Sequence, residues 1–294
     1  MMAMQIHKLA VVGAGSVGQG LVQTAASAGI EVIYKEINRD LVEQARAEIE
    51  QALDQEIERW AITESDKRAW LSRVHGTDQI APLLDADILV EAIEEDLEKK
   101  TALFRSLGAM VSDRLPLVTT TSTLSVSEIA RATRGRERVI GMHFLRPVPK
   151  RAIVEIIRGF HTSDETYTLA CELAKALGKE TIEVFEYPGF VTTRVILPLI
   201  NEALHVVMEG VASAEDVDKA MRLGYEMPMG PLEFGDRMGL DEVMTCMEHL
   251  WRELGEPRYR PCPLLRKLVR AGHLGVETGE GVFRYDSEGK RIPQ

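Results

Sequence analysis

The chain has 294 residues, 45% of them hydrophobic and 28% charged, enough apolar material for two packed cores. Its formal net charge of −11 works against general binding to nucleic acid or an anionic membrane surface. The three cysteines, Cys171, Cys246 and Cys262, show no CxxC pairing and an odd count, which predicts reduced, mostly buried thiols and a cytoplasmic setting; no metal is expected. The start of the chain enters a strand without a basic and then apolar leader, and the apolar run at 195–200 is short and interrupted by Pro198, so neither a targeting peptide nor a membrane span is expected.

Residues 8–12 form a short apolar run ending at glycine, which predicts a buried parallel strand. A helix over 18–28 follows, stopped by Gly29, and then a second strand at 31–36 that ends in an acid. Residues 39–77 are helical and highly charged, and read as two helices forming a hairpin. Further strands fall at 87–92 and 117–120, separated by a helix over 99–111. Ser125 is a candidate N-cap for a helix over 126–134, and strands at 139–143 and 152–157 come next. Beyond 186 the strand–helix alternation stops. Helices are predicted at 193–209, 214–222, 239–254 and 263–271, with a polar, frayed tail after Tyr285. The pattern predicts an α/β fold: an N-terminal Rossmann-type doubly wound sheet over 1–186, carrying the helical hairpin as an insertion, and a C-terminal all-helical domain over 187–294.

Between the first strand and its helix stands Gly13-Ala14-Gly15-Ser16-Val17-Gly18. Gly13 permits a tight turn, Gly15 lets backbone amides approach a pyrophosphate, and Gly18 permits close helix–strand packing. Ser16 and Val17 open a helix whose dipole and N–H groups stabilise phosphate charge. A glycine fingerprint alone is weak, but this one follows a strand, opens a helix and precedes Glu36 by eighteen residues. Glu36 is placed to accept from both adenosine-ribose hydroxyls and to repel a 2′-phosphate, which predicts NAD rather than NADP, although Lys35 and Arg39 flank it and soften that preference.

Downstream, His143 and Glu155 lie twelve residues apart in GMHFLRPVPKRAIVEII. An imidazole exchanges a proton with an alcohol near neutral pH, a carboxylate orients it, and a nicotinamide takes the hydride the alcohol also loses. A lone histidine at a strand end is more often structural, and Glu155 alternating with Val154 and Ile156 fits a solvated strand face equally well.

The surrounding motifs decide between these readings. GMHFLRPVP followed by Ile153-Val154-Glu155-Ile156-Ile157 resembles the L-3-hydroxyacyl-CoA dehydrogenase family, with its GxHFFNPVP…LVEVI motif. The resemblance extends over nearly the whole chain, through Val90-Glu91-Ala92, Thr121-Ser122-Thr123, Pro188-Gly189-Phe190, Asn201-Glu202-Ala203 and Met227-Pro228-Met229-Gly230-Pro231. It implies that His143 is the general acid/base, oriented by Glu155, and that Ser122 contacts substrate and nicotinamide. It also implies that Glu95 and Lys100 contribute to the cofactor site, that the substrate is an acyl thioester and that the helical domain forms a homodimer.

Departures from the family pattern bear on the substrate. Arg146 and Thr193 stand where the family has substrate-positioning asparagines, and a guanidinium at Arg146 suits a carboxylate or phosphate. The first helix of the hairpin carries Glu43, Glu48, Glu50, Asp54, Glu56 and Glu58, a poor surface for the phosphates of CoA. CoA is still the expected carrier. The alternatives are an acyl-carrier-protein thioester, a small anionic hydroxy acid bound by Arg146, or a catalytically silent NAD-binding scaffold.

Overall fold

The computed structural model describes residues 6–112 and 115–293 and divides the chain into two compact units, Met1–Tyr187 and Pro188–Gln294. Residues 1–5, where no leader is expected, lie outside the described residues, as does Gln294 at the end of the tail. Among the described residues no helix is long and apolar enough to cross a membrane.

The first unit begins with β1 (Lys8–Val12), α1 (Ser16–Ser27) and β2 (Glu31–Lys35). The helical hairpin α2 (Arg39–Glu58) and α3 (Glu64–Leu71) then leads into β3 (Val74–Thr77) and β4 (Ile88–Glu91). Next come α4 (Leu97–Met110), β5 (Leu117–Thr119), α5 (Val126–Ala130) and β6 (Val139–Phe144). The unit closes with β7 (Ile153–Arg158), α6 (Asp164–Ala176) and β8 (Glu180–Phe185).

Among the described residues of this unit, eight strands form one sheet in the order β3-β2-β1-β4-β5-β6-β7-β8. Neighbours pair in parallel throughout except at β6 and β7, which are antiparallel. Strands β4, β5 and β6 are buried at every position, which is why they read as mainly apolar runs, with Glu91, Thr119 and His143 toward their ends, rather than as alternation. The expected Rossmann-type sheet is therefore what forms, and the strand order reverses at β1, which has β2 on one side and β4 on the other. Ligands of such sheets bind beyond the strand ends at this reversal.

Local chemistry sets the helix starts. Asn38 caps α2 by accepting from Leu41 N at 2.9 Å, Asp96 caps α4 through Lys99 N at 2.9 Å, and Ser125 caps α5 through Glu128 N at 3.0 Å. Helix α2 buries Val42, Ala45, Ile49 and Leu53 at helical spacing, so its many acids fall on the outer face. One expectation is corrected here. The stretch to Thr77 does not stay helical, because Val74 pairs with Val32 and residues 74–77 extend the sheet as β3. The four residues Val-His-Gly-Thr bring one apolar side chain, too little for a strand signal until β2 lies beside them.

The second unit has helices α7 (Thr192–Met208), α8 (Ala214–Gly224), α9 (Pro231–Met238), α10 (Leu240–Leu254) and α11 (Pro263–Arg270). Leu197, Ile200, Leu204, Leu232, Val243, Met247, Leu250 and Leu265 form its core. Helix α9 was absent from the expected elements because its cap comes from a different helix. Asp218 of α8 accepts from Leu232 N at 2.8 Å and Glu233 N at 2.9 Å.

The frayed tail expected after Tyr285 is likewise corrected: β9 (Arg284–Tyr285) pairs antiparallel with β10 (Arg291–Ile292). Buried Asp236 anchors the approach to this hairpin, accepting from Val282 N at 2.8 Å, Phe283 N at 2.9 Å and the Tyr285 hydroxyl at 2.9 Å. Burial pushes the Asp236 carboxyl up to about 6 against the pull of these donors. The folded chain then holds this proton to higher pH than the unfolded chain, so the group's contribution to stability falls as pH rises from about 4 to 6. Wild-type stability minus that of D236N should drop by about 2 kcal/mol across this window in urea unfolding.

Candidate active site

The glycine turn meets the sheet at the point of strand reversal. Gly13 has φ +93°, and a Cβ there would lie 2.7 Å from the Ala92 carbonyl oxygen, just beyond β4. A Cβ on Gly18 would overlap the Gly13 carbonyl oxygen, whereas one on Gly15 would stand in open space. The first and third glycines thus close the turn onto β4 and α1, and the second leaves a cradle in front of Ser16 and Val17. This cradle fits a dinucleotide pyrophosphate, since the first N–H groups of α1 have no intrahelical acceptor.

Glu36 follows β2 at the same end. Its Oε1 accepts from Ala14 N at 2.5 Å and its Oε2 from Ile37 N at 3.2 Å, which fixes the carboxylate against the glycine turn. Lys35 donates to the Glu36 carbonyl at 3.0 Å and Arg39 pairs with Glu43 at 3.1 Å, so both cations have partners other than this carboxylate. Replacing Glu36 with serine should therefore reduce the preference for NADH over NADPH by about tenfold or more, read as the ratio of the two kcat/KM values.

The next strands contribute a buried charge network. Lys100 of α4 and Glu91 at the end of β4 are 1% and 0% exposed, and Nζ lies 2.5 Å from Glu91 Oε1. Glu91 also accepts from Thr119 Oγ1 at 2.7 Å and Ile93 N at 2.8 Å. Lys100 further donates to the Ile93 carbonyl at 3.2 Å and sits 3.7 Å from Glu95 Oε2. Glu95 in turn gathers the turn after β5, accepting from Thr121 Oγ1 at 2.6 Å, Ser122 N at 2.8 Å and Thr123 N at 2.9 Å. Burial acts to raise the Glu95 carboxyl, but the Lys100 charge and these donors together outweigh it and hold the carboxyl below its ordinary value. The structure thus brings Glu95, Lys100 and Ser122 together, with Glu95 holding the backbone that presents Ser122. Glu91 was quoted in the sequence only as part of a motif. Its signal was an acid closing an otherwise apolar strand.

Sheet register explains the histidine–glutamate pair. His143 of β6 lies directly opposite Glu155 of β7 in the antiparallel ladder, so both side chains project from one face. Nδ1 and Oε2 are 2.6 Å apart, and both residues are buried, at 5% and 1% exposure. Paired with an ionised carboxylate, which only accepts, the ring would carry its hydrogen on Nδ1. The parallel pairing of Thr119 with Gly141 puts His143 and Ser122 at the same end of adjacent strands.

The turn from β6 to β7 carries Arg146. Its Nη1 donates to Ser16 Oγ at 3.2 Å, at the first residue of α1. Thr193 belongs to the second unit, where it is buried in the first turn of α7.

The 3-hydroxyacyl-CoA dehydrogenase NAD-binding domain matches residues 8–187, and the C-terminal domain of the same family matches 189–285. The chain belongs to the 3-hydroxyacyl-CoA dehydrogenase family. It is 42% identical over 285 residues to a probable 3-hydroxybutyryl-CoA dehydrogenase of Bacillus subtilis, covering 97% of this chain and 99% of that one. It is 40% identical over 279 residues to a 3-hydroxybutyryl-CoA dehydrogenase of Clostridioides difficile, covering 95% and 99%. The crystal structure of a (S)-3-hydroxybutyryl-CoA dehydrogenase from Ralstonia eutropha superposes with a TM-score of 0.89 at 39% identity, over 96% of this chain and 100% of that one. The protein is an NAD-dependent oxidoreductase of this family, and the glycine turn with Glu36 lies in its NAD-binding domain.

Proposed function

We propose that this dehydrogenase interconverts a 3-hydroxyacyl-CoA and the 3-oxoacyl-CoA, with His143 as the general acid/base. The observation that carries the reading is the buried His143–Glu155 contact at the sheet end that also carries the glycine turn. NAD, when bound, supplies the hydride acceptor. With Nδ1 committed to Glu155, His143 exchanges the substrate hydroxyl proton at Nε2, and in reduction it returns a proton to the developing alkoxide. Glu155 preserves the tautomer and stabilises the imidazolium as it forms. Ser122, whose backbone Glu95 holds, serves as a contact to substrate and nicotinamide.

The relatives' names support a short acyl chain on CoA. The acidic outer face of α2 is a poor surface for the adenosine phosphate of CoA, since Lys150 is paired with Glu56 at 3.1 Å and Lys67 with Asp54, and this keeps a carrier-protein thioester as the alternative. Comparing kcat/KM for acetoacetyl-CoA with that for acetoacetyl-pantetheine separates the two. A CoA ester favoured by about tenfold or more supports CoA recognition; equal turnover supports the carrier-protein reading. A cytoplasmic homodimer completes the proposal. Exposed Val195, Val211 and Leu223 of the helical unit supply apolar surface for it, and light scattering reads the dimer mass.

A further inference from the structure

Residues 145–151 join β6 to β7 and are fastened from three sides. Buried Lys179 donates to the Val148 carbonyl at 2.8 Å and to the Arg151 carbonyl at 2.8 Å. Arg151 Nε donates back to the Arg146 carbonyl at 3.0 Å. Val148 is buried against Gly20 of α1, where an added Cβ would come within 2.8 Å of the Val148 Cβ. The turn is therefore docked along α1, and docking delivers the Arg146 guanidinium to Ser16 Oγ, beside the open space in front of Gly15.

The charges around that cradle call for a cation. Helix α1 has no acidic residue in its first turn and no basic one in its last. Two carboxylates reach its glycine turn and helix: Glu36 on Ala14 N at 2.5 Å, and Glu48 on Gln19 Nε2 at 2.5 Å, while Gln19 also donates to the Ala14 carbonyl at 2.8 Å. Both carboxylates add negative charge near the cradle, which works against the pull of the helix N–H groups on a pyrophosphate. A guanidinium answers this, since its planar fork can donate two parallel hydrogen bonds to phosphate oxygens.

We propose that Arg146 is a pyrophosphate-binding residue of the dinucleotide site, positioned there by the docked 145–151 turn, and not a contact to the acyl substrate. The inference rests on the NAD-binding domain and does not require the proposed roles of His143 or Ser122. It gives the asparagine-to-arginine departure a cofactor role, leaving the acyl end of the substrate free of a fixed charge from this position.

The test is direct binding to full-length wild type, R146N and R146A, with R146N restoring the family's side chain. NADH and ADP-ribose are titrated calorimetrically, and adenosine, which lacks phosphate, is read as a competitor of NADH fluorescence. Loss of affinity for NADH and ADP-ribose by about tenfold in both variants is expected, with less dependence on salt and with adenosine affinity unchanged. At saturating NADH, KM for acetoacetyl-CoA should stay at the wild-type value. Unchanged ADP-ribose affinity would overturn the proposal, with a raised acetoacetyl-CoA KM then assigning Arg146 to substrate. Equal weakening of adenosine would also overturn it, by pointing to a general disturbance of the glycine turn.

Discussion

His143→Ala is expected to lower kcat for 3-oxoacyl-CoA reduction by about 10³-fold to 10⁴-fold while leaving NADH affinity within about twofold of wild type. The imidazole acts on the substrate oxygen, and its Nδ1 contact is to Glu155 rather than to the glycine turn. Its ring lies against a carboxylate, Nδ1 to Glu155 Oε2 at 2.6 Å, and both residues are buried. E155Q keeps the shape but removes the charge and the acceptor-only character. It should lose about 10²-fold or more in kcat with a small change in KM, because the tautomer is no longer enforced. A purely structural role for Glu155 would instead lower thermal stability with kcat intact, so both quantities are measured on the same preparation.

Breaking the buried pair between Lys100 and Glu91 should produce the largest stability loss. Lys100→Met leaves Glu91 at 0% exposure without its nearest cation, and Glu91→Gln leaves Lys100 with a weakened acceptor. Removing one partner of a buried pair costs about 3–5 kcal/mol, whereas replacing both together costs much less. Each single variant should therefore lower the urea midpoint strongly, and the Glu91→Gln/Lys100→Met double variant should recover a large part of the loss. Activity should suffer as well. The Lys100 charge helps keep Glu95 ionised, and Glu95 holds the turn that presents Ser122. If the double variant were as unstable as the sum of the single variants, the pair would not be the unit that holds this corner together.

The β1–α1–β2 start, the central strands and the helical second unit were legible because their apolar periodicity is local. Elements whose determinants lie far along the chain were not. β3 has one apolar residue and forms because β2 offers it a partner. α9 starts where Asp218 from another helix meets its first N–H groups, and the terminal hairpin follows a segment anchored on Asp236. The site shows the same division. The glycine turn and Glu36 are adjacent motifs with local mechanics, so their joint meaning could be read from spacing. His143 and Glu155 stand twelve residues apart, and only the antiparallel register turns that separation into a 2.6 Å contact. Their roles came from motif resemblance, with no periodicity to distinguish Glu155 from a solvated strand residue. Glu91 is legible only within a motif and Lys100 is assigned to the cofactor site by resemblance alone; that the two form one buried pair is a matter of tertiary contact. The type of residue 146 marked it as unusual. The direction of its side chain depends on how Val148 and Lys179 dock the turn.

The central claim is tested most directly by following NADH absorbance when wild-type protein and His143→Ala are mixed with acetoacetyl-CoA, with the acyl-CoA product identified. Consumption of NADH with 3-hydroxybutyryl-CoA formed, lost in the variant while NADH still binds, is the result this account predicts. Undiminished turnover in His143→Ala, or no turnover by wild type that binds NADH normally, would contradict it.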